Sequence, residues 1–572
     1  MEREMKLYKD WVSYPLEDQD LVNELKSIEN DNDAVFDRFY TDLEFGTAGL
    51  RGVIGAGTNR MNIYTVARAT QGMADMLKGK KENPSVAISY DSRIKSDLFA
   101  RRAALTLASN GIKVYLTDRL MPTPVLSFCV RYFGCDAGIM ITASHNPSEY
   151  NGYKAYGPDG CQMNEEDSKK VLEFAEKTDI FGAKCSLSLE KAVESGMLEY
   201  VKDEVYEDYY KKVESVLIDK ESIKNADLKI VYTPLNGTGR EPVLKMFDKM
   251  GVKKVSVVKE QEMPDGNFTT CPYPNPEIKE ALTLGIKKCQ DECADLLVAT
   301  DPDADRVGIA VRDAKGELCL MSGNAVGVLL LDYIAKRKTQ NLTMPKNPVA
   351  VKSIVTTALA ERVCENYGIE MKNVLTGFKY IGEQIRLLEE KGQEDRFILG
   401  YEESYGYLSG SFVRDKDAVI GALLIVEMAS YYKTIGKSLL DVYAEIEKKY
   451  GVHYHAVDSF TFKGASGMEK MAGIMTSLRE NAPSEIAGLK TLALSDYKKS
   501  VKKDLVSGNE EKINLPSSNV LEFSLENSCS LIVRPSGTEP KIKFYYTVVS
   551  DNLENAQKIC QKLKDSANKM AQ

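Results

Sequence analysis

The chain has 572 residues, 43% of them hydrophobic and 28% charged, with a formal net charge of -9 at pH 7. That length exceeds one hydrophobic core and predicts about three to five domains. The mixed-sign charge, with no long Lys/Arg block, excludes a surface that tracks nucleic acid, and no apolar run reaches the roughly 18 to 20 residues that span a bilayer, so neither nucleic acid nor membrane is expected as a partner.

Eleven cysteines without a dense framework, and a start, MEREMKLYKDWVSYP, that lacks a basic region followed by an apolar one, read as a reduced, cytoplasmic protein. The sequence leaves the oligomeric state open.

In chain order, the glycine-rich EFGTAGLRGVIGAG at 44–57 reads as a hairpin or as a phosphate-facing loop carrying Arg51. Four later stretches share one pattern, a short apolar strand that breaks into a polar loop: VAISYDSR at 86, AGIMITASHNP at 137, DLLVATDPDADR at 295 and RFILGYEESYG at 396. Between them lie helical patterns such as DLFARRAALTLASN, EIKEALTLGIKKC and DAVIGALLIVEMASYY. Strands alternating with helices predict mainly parallel sheets, with ligands beyond the strands' carboxyl ends. CDAGIMITASHNP and CADLLVATDPDADR also resemble each other, as copies of one α/β unit would. Candidate boundaries follow the polar helical segment at 198–217, the turn near Ala314 to Gly316, and EKKYGVHYH at 447–455. The tail, with a helical segment followed by NVLEFSL, SCSLIVRP and KIKFYYTVV, predicts a smaller α+β domain.

Asp301, Asp303 and Asp305 alternate in DPDADR, so in an extended loop all three carboxylates converge on one hard cation, Mg²⁺ or Ca²⁺ in preference to zinc. An EF-hand would need Gly and Glu where Arg306 and Arg312 stand. Ser144, next to His145, is a helix cap or a nucleophile; no G-x-S-x-G elbow surrounds it. An acidic metal loop, a nucleophilic serine and an anion site together point to phosphoryl transfer. The anion site is VRPSGTEPKIKFY at 533, where Arg534 offers a planar fork, Ser536 and Thr538 hydroxyls, and Gly537 close backbone approach. Glu402 and Ser404, two apart in GYEESYG, lie on one side of an extended loop and read either as a solvated cap after the strand or as acceptors for sugar hydroxyls. PLNGTGRE at 234 lacks the third glycine of a dinucleotide fingerprint, and no Walker pattern occurs, so neither NAD nor ATP is indicated.

Taken together, TASHNP, DPDADR, GYEES and RPSGTEP, in this order and across about residues 40 to 550, closely resemble the four loops of the α-D-phosphohexomutase superfamily. FGTAGLRG and TGFKYIG resemble the branch containing bacterial α-phosphoglucomutases and the animal phosphoglucomutase-2 group. The resemblance implies an α/β architecture of four domains around a central cleft: three similar α/β mixed-sheet domains at 1–217, 218–319 and 320–450, and an α+β domain at 451–572. It implies that Ser144 is phosphorylated in the active enzyme, and that a phosphoserine oxygen joins Asp301, Asp303 and Asp305 in holding Mg²⁺.

Arg306 would face substrate beside the metal loop, His145 would contact the phosphoryl group, Lys154 would transfer a proton and Arg51 would position substrate. Glu402 and Ser404 would grip the sugar, and Arg534, Ser536, Gly537 and Thr538 the phosphate that is not transferred. Where some phosphomannomutases carry a histidine after the sugar-loop serine, this chain has Gly406 and Tyr407; a phosphoglucomutase-like lysine is matched instead by Lys416. A lysine acting as base requires a lowered pKa, which Arg51 and the metal would favour and the phosphate dianion would oppose. The implied substrate is a small sugar phosphate. The expected reaction interconverts glucose 1-phosphate and glucose 6-phosphate, with glucose 1,6-bisphosphate as intermediate and activator. A phosphopentomutase, a phosphomannomutase and a hexose-bisphosphate synthase share the same motifs.

Overall fold

A computed structural model describes residues 1–43, 49–462, 465–536 and 541–571. Three mixed sheets and one antiparallel sheet follow one another along the chain. The first runs Gly49–Val53, Tyr150–Tyr156, Ala137–Ile141, Ser85–Tyr90, Lys113–Thr117 and Leu198–Val201. Ala137–Ile141, the apolar AGIMI, is buried along its whole length, as a central strand covered by helices on both faces must be. It pairs parallel with Ser85–Tyr90 but antiparallel with Tyr150–Tyr156.

The second sheet repeats this plan. Leu296–Thr300 pairs parallel with Lys229–Thr233 and antiparallel with Val307–Arg312. In the third, Phe397–Glu402 pairs parallel with Val349–Ser353 and antiparallel with Gly406–Leu408. Parallel pairings outnumber antiparallel ones in the first and third sheets and equal them in the second, so the expectation of mainly parallel sheets holds in two of the three. In each sheet the strand that follows the site loop returns antiparallel. The reason is length, because the loops 142–149, 301–306 and 403–405 are too short for a parallel crossover. The similarity of CDAGIMITASHNP to CADLLVATDPDADR corresponds to this shared hairpin.

Two further details differ from the sequence reading. The segment 198–217 is not helical throughout: Leu198–Val201 completes the first sheet and only Asp203–Ser215 is helix. The turn near Gly316 joins Val307–Arg312 to Leu318–Met321 within the second sheet, which thus runs on to Met321. The last sheet orders Val452–Thr461, Lys541–Ser550, Ser530–Pro535, Leu521–Leu525 and Leu489–Asp496, antiparallel throughout. Lys541–Ser550 alternates buried and half-buried residues over most of its length, the mark of a sheet with one face on a core.

Among the described residues no single helix is long and apolar enough to cross a membrane. Ala418–Thr434 and Leu439–Tyr450 reach that level only jointly, bent by 86°, and the first is buried over most of its length.

Glu427, in the middle of that buried helix, has no exposed surface. Its Oε1 accepts hydrogen bonds from the backbone N–H of Ile218 (2.8 Å), from that of Asp219, and from the Tyr333 hydroxyl (2.9 Å). It thereby ties the connection between the first two sheets to the third. Burial pushes its carboxyl up to about 7, against roughly 4.3 in an unfolded chain. Between those values the folded state binds the proton more tightly, so this group makes stability fall as pH rises through the interval and level off above it. Glu427→Gln keeps the acceptor and is expected to remove on the order of 2 kcal/mol of that fall. Denaturant unfolding at pH 5 and pH 8 measures it, and an unchanged difference between the two would exonerate Glu427.

Candidate active site

The three hairpin loops and the last sheet meet at one cleft of about 520 Å³. Its lining brings together Arg51, Ser144, His145 and Lys154 from the first sheet, and Asp305 and Arg306 from the second. Glu402, Ser404 and Lys416 reach it from the third, and Arg534 from the last. Ser536 is not among the lining residues, and Gly537 and Thr538 lie outside the described residues, as does most of FGTAG before Arg51.

No helix begins at Ser144. It sits in the loop between Ala137–Ile141 and Tyr150–Tyr156 with φ 54°, a left-handed conformation that serine adopts only where its surroundings enforce it. Its hydroxyl is within hydrogen-bonding distance of Asp301 Oδ2 (3.1 Å) and His145 Nδ1 (3.2 Å). Burial, followed by the charges of Arg306 and Arg51, holds His145 well below the usual imidazole range, so the ring is neutral and its Nδ1 is able to accept.

The aspartates converge, though not through an extended loop. Ala304 N–H donates to Asp301 O (2.9 Å) and Ala304 takes φ 47°, which curls the chain into a turn. The three carboxylates each offer an oxygen within 4.8 Å of the others, and all three residues are buried. Asp301 Oδ1 accepts from the N–H groups of Asp305 and Arg306 (3.0 and 2.9 Å), whereas Asp303 Oδ1 and Asp305 Oδ1 have no hydrogen-bond partner. Buried carboxylate oxygens without a hydrogen bond in an all-oxygen cluster fit a hard divalent cation.

Neighbouring elements hold this loop from several sides. Thr123 donates its N–H to Asp303 O and its hydroxyl to Asp303 Oδ2, both at 2.9 Å. PLNGTGRE turns out to be a brace: Thr238 N–H and Oγ1 both donate to Pro302 O (2.8 and 2.9 Å), and a Cβ on Gly237 would come within 2.4 Å of Pro302 Cα. Ala418 N–H donates to Ala304 O (3.1 Å).

Lys154 meets carboxylates that the sequence reading did not weigh. The register of Gly49–Val53 against Tyr150–Tyr156 sets Arg51 opposite Gly152, so Arg51 and Lys154 share a face. Lys154 Nζ lies 2.8 Å from Asp303 Oδ2 and 3.3 Å from Asp305 Oδ2. Burial lowers the ammonium, but the two carboxylates outweigh it and the net direction is up, so the lysine is held protonated. Lys416 Nζ pairs with Asp305 Oδ2 at 2.8 Å and is raised in the same way against its own burial.

On the sugar loop, Glu402 Oε1 accepts from Gly377 N–H (2.8 Å); burial, then the Glu403 charge, pushes its carboxyl up to about 7. Several lining residues escaped the sequence reading. Glu277 forms an ion pair with Arg306, and Thr376 Oγ1 is buried and unpartnered at the rim. Lys543 stands directly opposite Arg534 on the neighbouring strand, with Tyr545 two residues on. Two facing cations repel, and burial, then Lys541 and Arg534, lower the Lys543 ammonium; a bound anion would relieve this arrangement. The signal available for Lys543 was the alternation in KIKFYY, which sets Lys541, Lys543 and Tyr545 on one face.

Known proteins resemble this chain over most of its length. Residues 42–180, 207–316 and 322–450 match the family descriptions "Phosphoglucomutase/phosphomannomutase, alpha/beta/alpha" domain I, domain II and domain III respectively. A phosphoglucomutase of Staphylococcus haemolyticus is 40% identical over 522 residues, 90% of this chain and 92% of that protein. One from Staphylococcus aureus is 38% identical over 549 residues, 93% and 97% of the two chains. A solved structure of the Paramecium phosphoglucomutase pp63/parafusin in an open form superposes with a TM-score of 0.67 at 18% identity, over 93% of this chain and 95% of that one, a likeness of fold. The chain belongs to the phosphoglucomutase/phosphomannomutase family of the α-D-phosphohexomutase superfamily and is a mutase, an intramolecular phosphotransferase.

Proposed function

We propose that this protein interconverts α-D-glucose 1-phosphate and D-glucose 6-phosphate through phosphorylated Ser144, with glucose 1,6-bisphosphate as the intermediate that also primes the serine. The observation that carries this reading is the cleft lined by Ser144, by Asp305 of the aspartate cluster, by the sugar-loop carboxylate Glu402 and by the cation pair Arg534 and Lys543, with Ser144 Oγ also 3.1 Å from Asp301 Oδ2. Asp301, Asp303 and Asp305, with the oxygen on Ser144, are the residues that would hold Mg²⁺. When bound, the ion would neutralise charge on the transferring group.

The chain's own residues account for the remainder. In the forward half-reaction the Ser144 Oγ–P bond breaks, a bond forms from a sugar hydroxyl oxygen to phosphorus, and that hydroxyl's proton replaces the one Lys154 gives up, so that Ser144 ends as a hydroxyl and the lysine as an ammonium. Lys154, protonated between Asp303 and Asp305, is suited to give a proton to the departing Ser144 oxygen and to steady the charge on the phosphoryl group; Arg306, fixed by Glu277, adds a second cation. Glu402 and Ser404 would orient the sugar ring, and Arg534 with Lys543 the phosphate that stays. The bisphosphate then turns over, and Ser144 takes back the other phosphoryl group. Most of the acceleration comes from positioning and electrostatics. A cytoplasmic location suits the eleven cysteines, all of which are free.

A coupled assay with Mg²⁺ and a trace of glucose 1,6-bisphosphate tests the substrate. The expected kcat/KM for glucose 1-phosphate exceeds that for ribose 1-phosphate by roughly 10-fold or more. A preference for ribose 1-phosphate would keep the mechanism and replace the substrate.

A further inference from the structure

The loop that carries Ser144 is built around a side chain outside the cleft. Arg93 ends the SYDSR turn after Ser85–Tyr90, and its side chain has no solvent exposure. Its guanidinium collects four backbone carbonyls of one short loop. Nη1 donates to Pro147 O (2.8 Å) and Tyr150 O (3.0 Å), and Nη2 donates to Ser144 O and Asn146 O. Carbonyl oxygens crowd together only around a buried cation, and the fixed planar fork of a guanidinium serves several at once where an ammonium, a point charge with three donors, does not.

Beneath it lies Asp91, 3.4 Å from Arg93 Nε and likewise fully enclosed. Asp91 Oδ1 accepts from the Ser96 hydroxyl (2.7 Å) and from Arg93 N–H (3.0 Å). Its Oδ2 accepts from the Thr142 hydroxyl (2.6 Å), and Thr142 Oγ1 in turn accepts from Ser144 N–H (2.8 Å). Both backbone polar groups of Ser144 are thereby fixed, the N–H through Thr142 and Asp91 and the carbonyl by Arg93. This is the restraint that a left-handed serine at φ 54° requires. The second sheet's side closes over the other face of the guanidinium. The Phe268 ring centre is 4.9 Å from Arg93 Cζ, and a Cβ on Gly266 would sit 2.7 Å from Ile94 N.

We propose that Asp91, Arg93 and Thr142 form a positioning frame that sets the attack geometry of Ser144, so that they govern phosphoryl transfer and leave sugar-phosphate binding alone. This rests on the reading of Ser144 as the phosphoryl carrier. None of the three residues lines the cleft, so a change in them reaches substrate only through the loop.

The test measures kcat and KM for glucose 1-phosphate in full-length Arg93→Lys and Thr142→Val, with thermal unfolding and with Ser144→Ala as control. Arg93→Lys keeps the charge but loses the fork; a misplacement of about 1 Å predicts a fall in kcat of roughly 100-fold with KM within about threefold. Thr142→Val, which leaves Arg93 in place, is expected to lower kcat about 10-fold with the same constancy of KM. Values of kcat within threefold of wild type in both variants, or losses that match the unfolded fraction, would overturn the frame. If Arg93→Lys does not fold, Thr142→Val decides by the same split. An active Ser144→Ala would instead remove the underlying reading, which an inactive Ser144→Ala beside a fully active Arg93→Lys would leave standing.

Discussion

Ser144→Ala is expected to lower kcat by at least about 10⁴-fold, because loss of the nucleophile removes a covalent route that positioning alone cannot replace. The substitution is clean in other respects. Alanine adopts the left-handed backbone at φ 54° about as readily as serine, and the hydrogen bonds made by the Ser144 N–H and carbonyl do not involve its side chain. What is lost is the contact of Oγ with Asp301 Oδ2 and His145 Nδ1. The unfolding midpoint should therefore move little, and binding of glucose 1-phosphate, which this reading assigns to Glu402, Ser404, Arg534 and Lys543, should persist in calorimetry. Intact mass after incubation with glucose 1,6-bisphosphate should show one added phosphoryl group in wild type and none in the variant. Activity within about 100-fold of wild type, or phosphorylation at another residue, would defeat the assignment.

Where the sequence was legible, it was because each site loop follows a short, wholly apolar strand. AGIMI, LLVAT and FILGY are runs that only a buried strand accommodates, and the polar residues after each have to lie at its carboxyl end. Ser144, the three aspartates and Glu402 were placed at strand ends that way. The antiparallel return of the next strand was also within reach, since the loops between are too short to cross over, but apolar patterning alone carries no direction. Contacts across sequence distance stayed hidden. Lys154 is raised rather than lowered because it meets carboxylates 149 and 151 residues away. Glu277 read as the lead into a helical stretch and became the partner of Arg306; VAISYDSR read only as a strand with its loop, although its arginine organises another loop some 50 residues on.

Removing one ligand from the aspartate cluster should separate cation binding from the serine. Asp303→Asn is the informative change. Its Oδ2 accepts from the Thr123 hydroxyl and from Lys154 Nζ, and an amide oxygen keeps that side; its Oδ1 has no partner, and there the amide would turn N–H toward the space a cation would fill. A loss of several kcal/mol of charge stabilisation in the transition state corresponds to a fall in kcat of roughly 10³-fold. Melting with and without Mg²⁺ gives a readout that does not depend on turnover. A cation that binds only the folded protein stabilises it by about 2.7 kcal/mol at 100 times its dissociation constant. Wild type should show that shift and Asp303→Asn should lose it. Ser144→Ala, which keeps all three carboxylates, should retain most of it. If Asp303→Asn still responds to Mg²⁺ and turns over within about tenfold of wild type, the three aspartates are not the cation site, and the buried pairs they make with Lys154 and Lys416 would be their whole role.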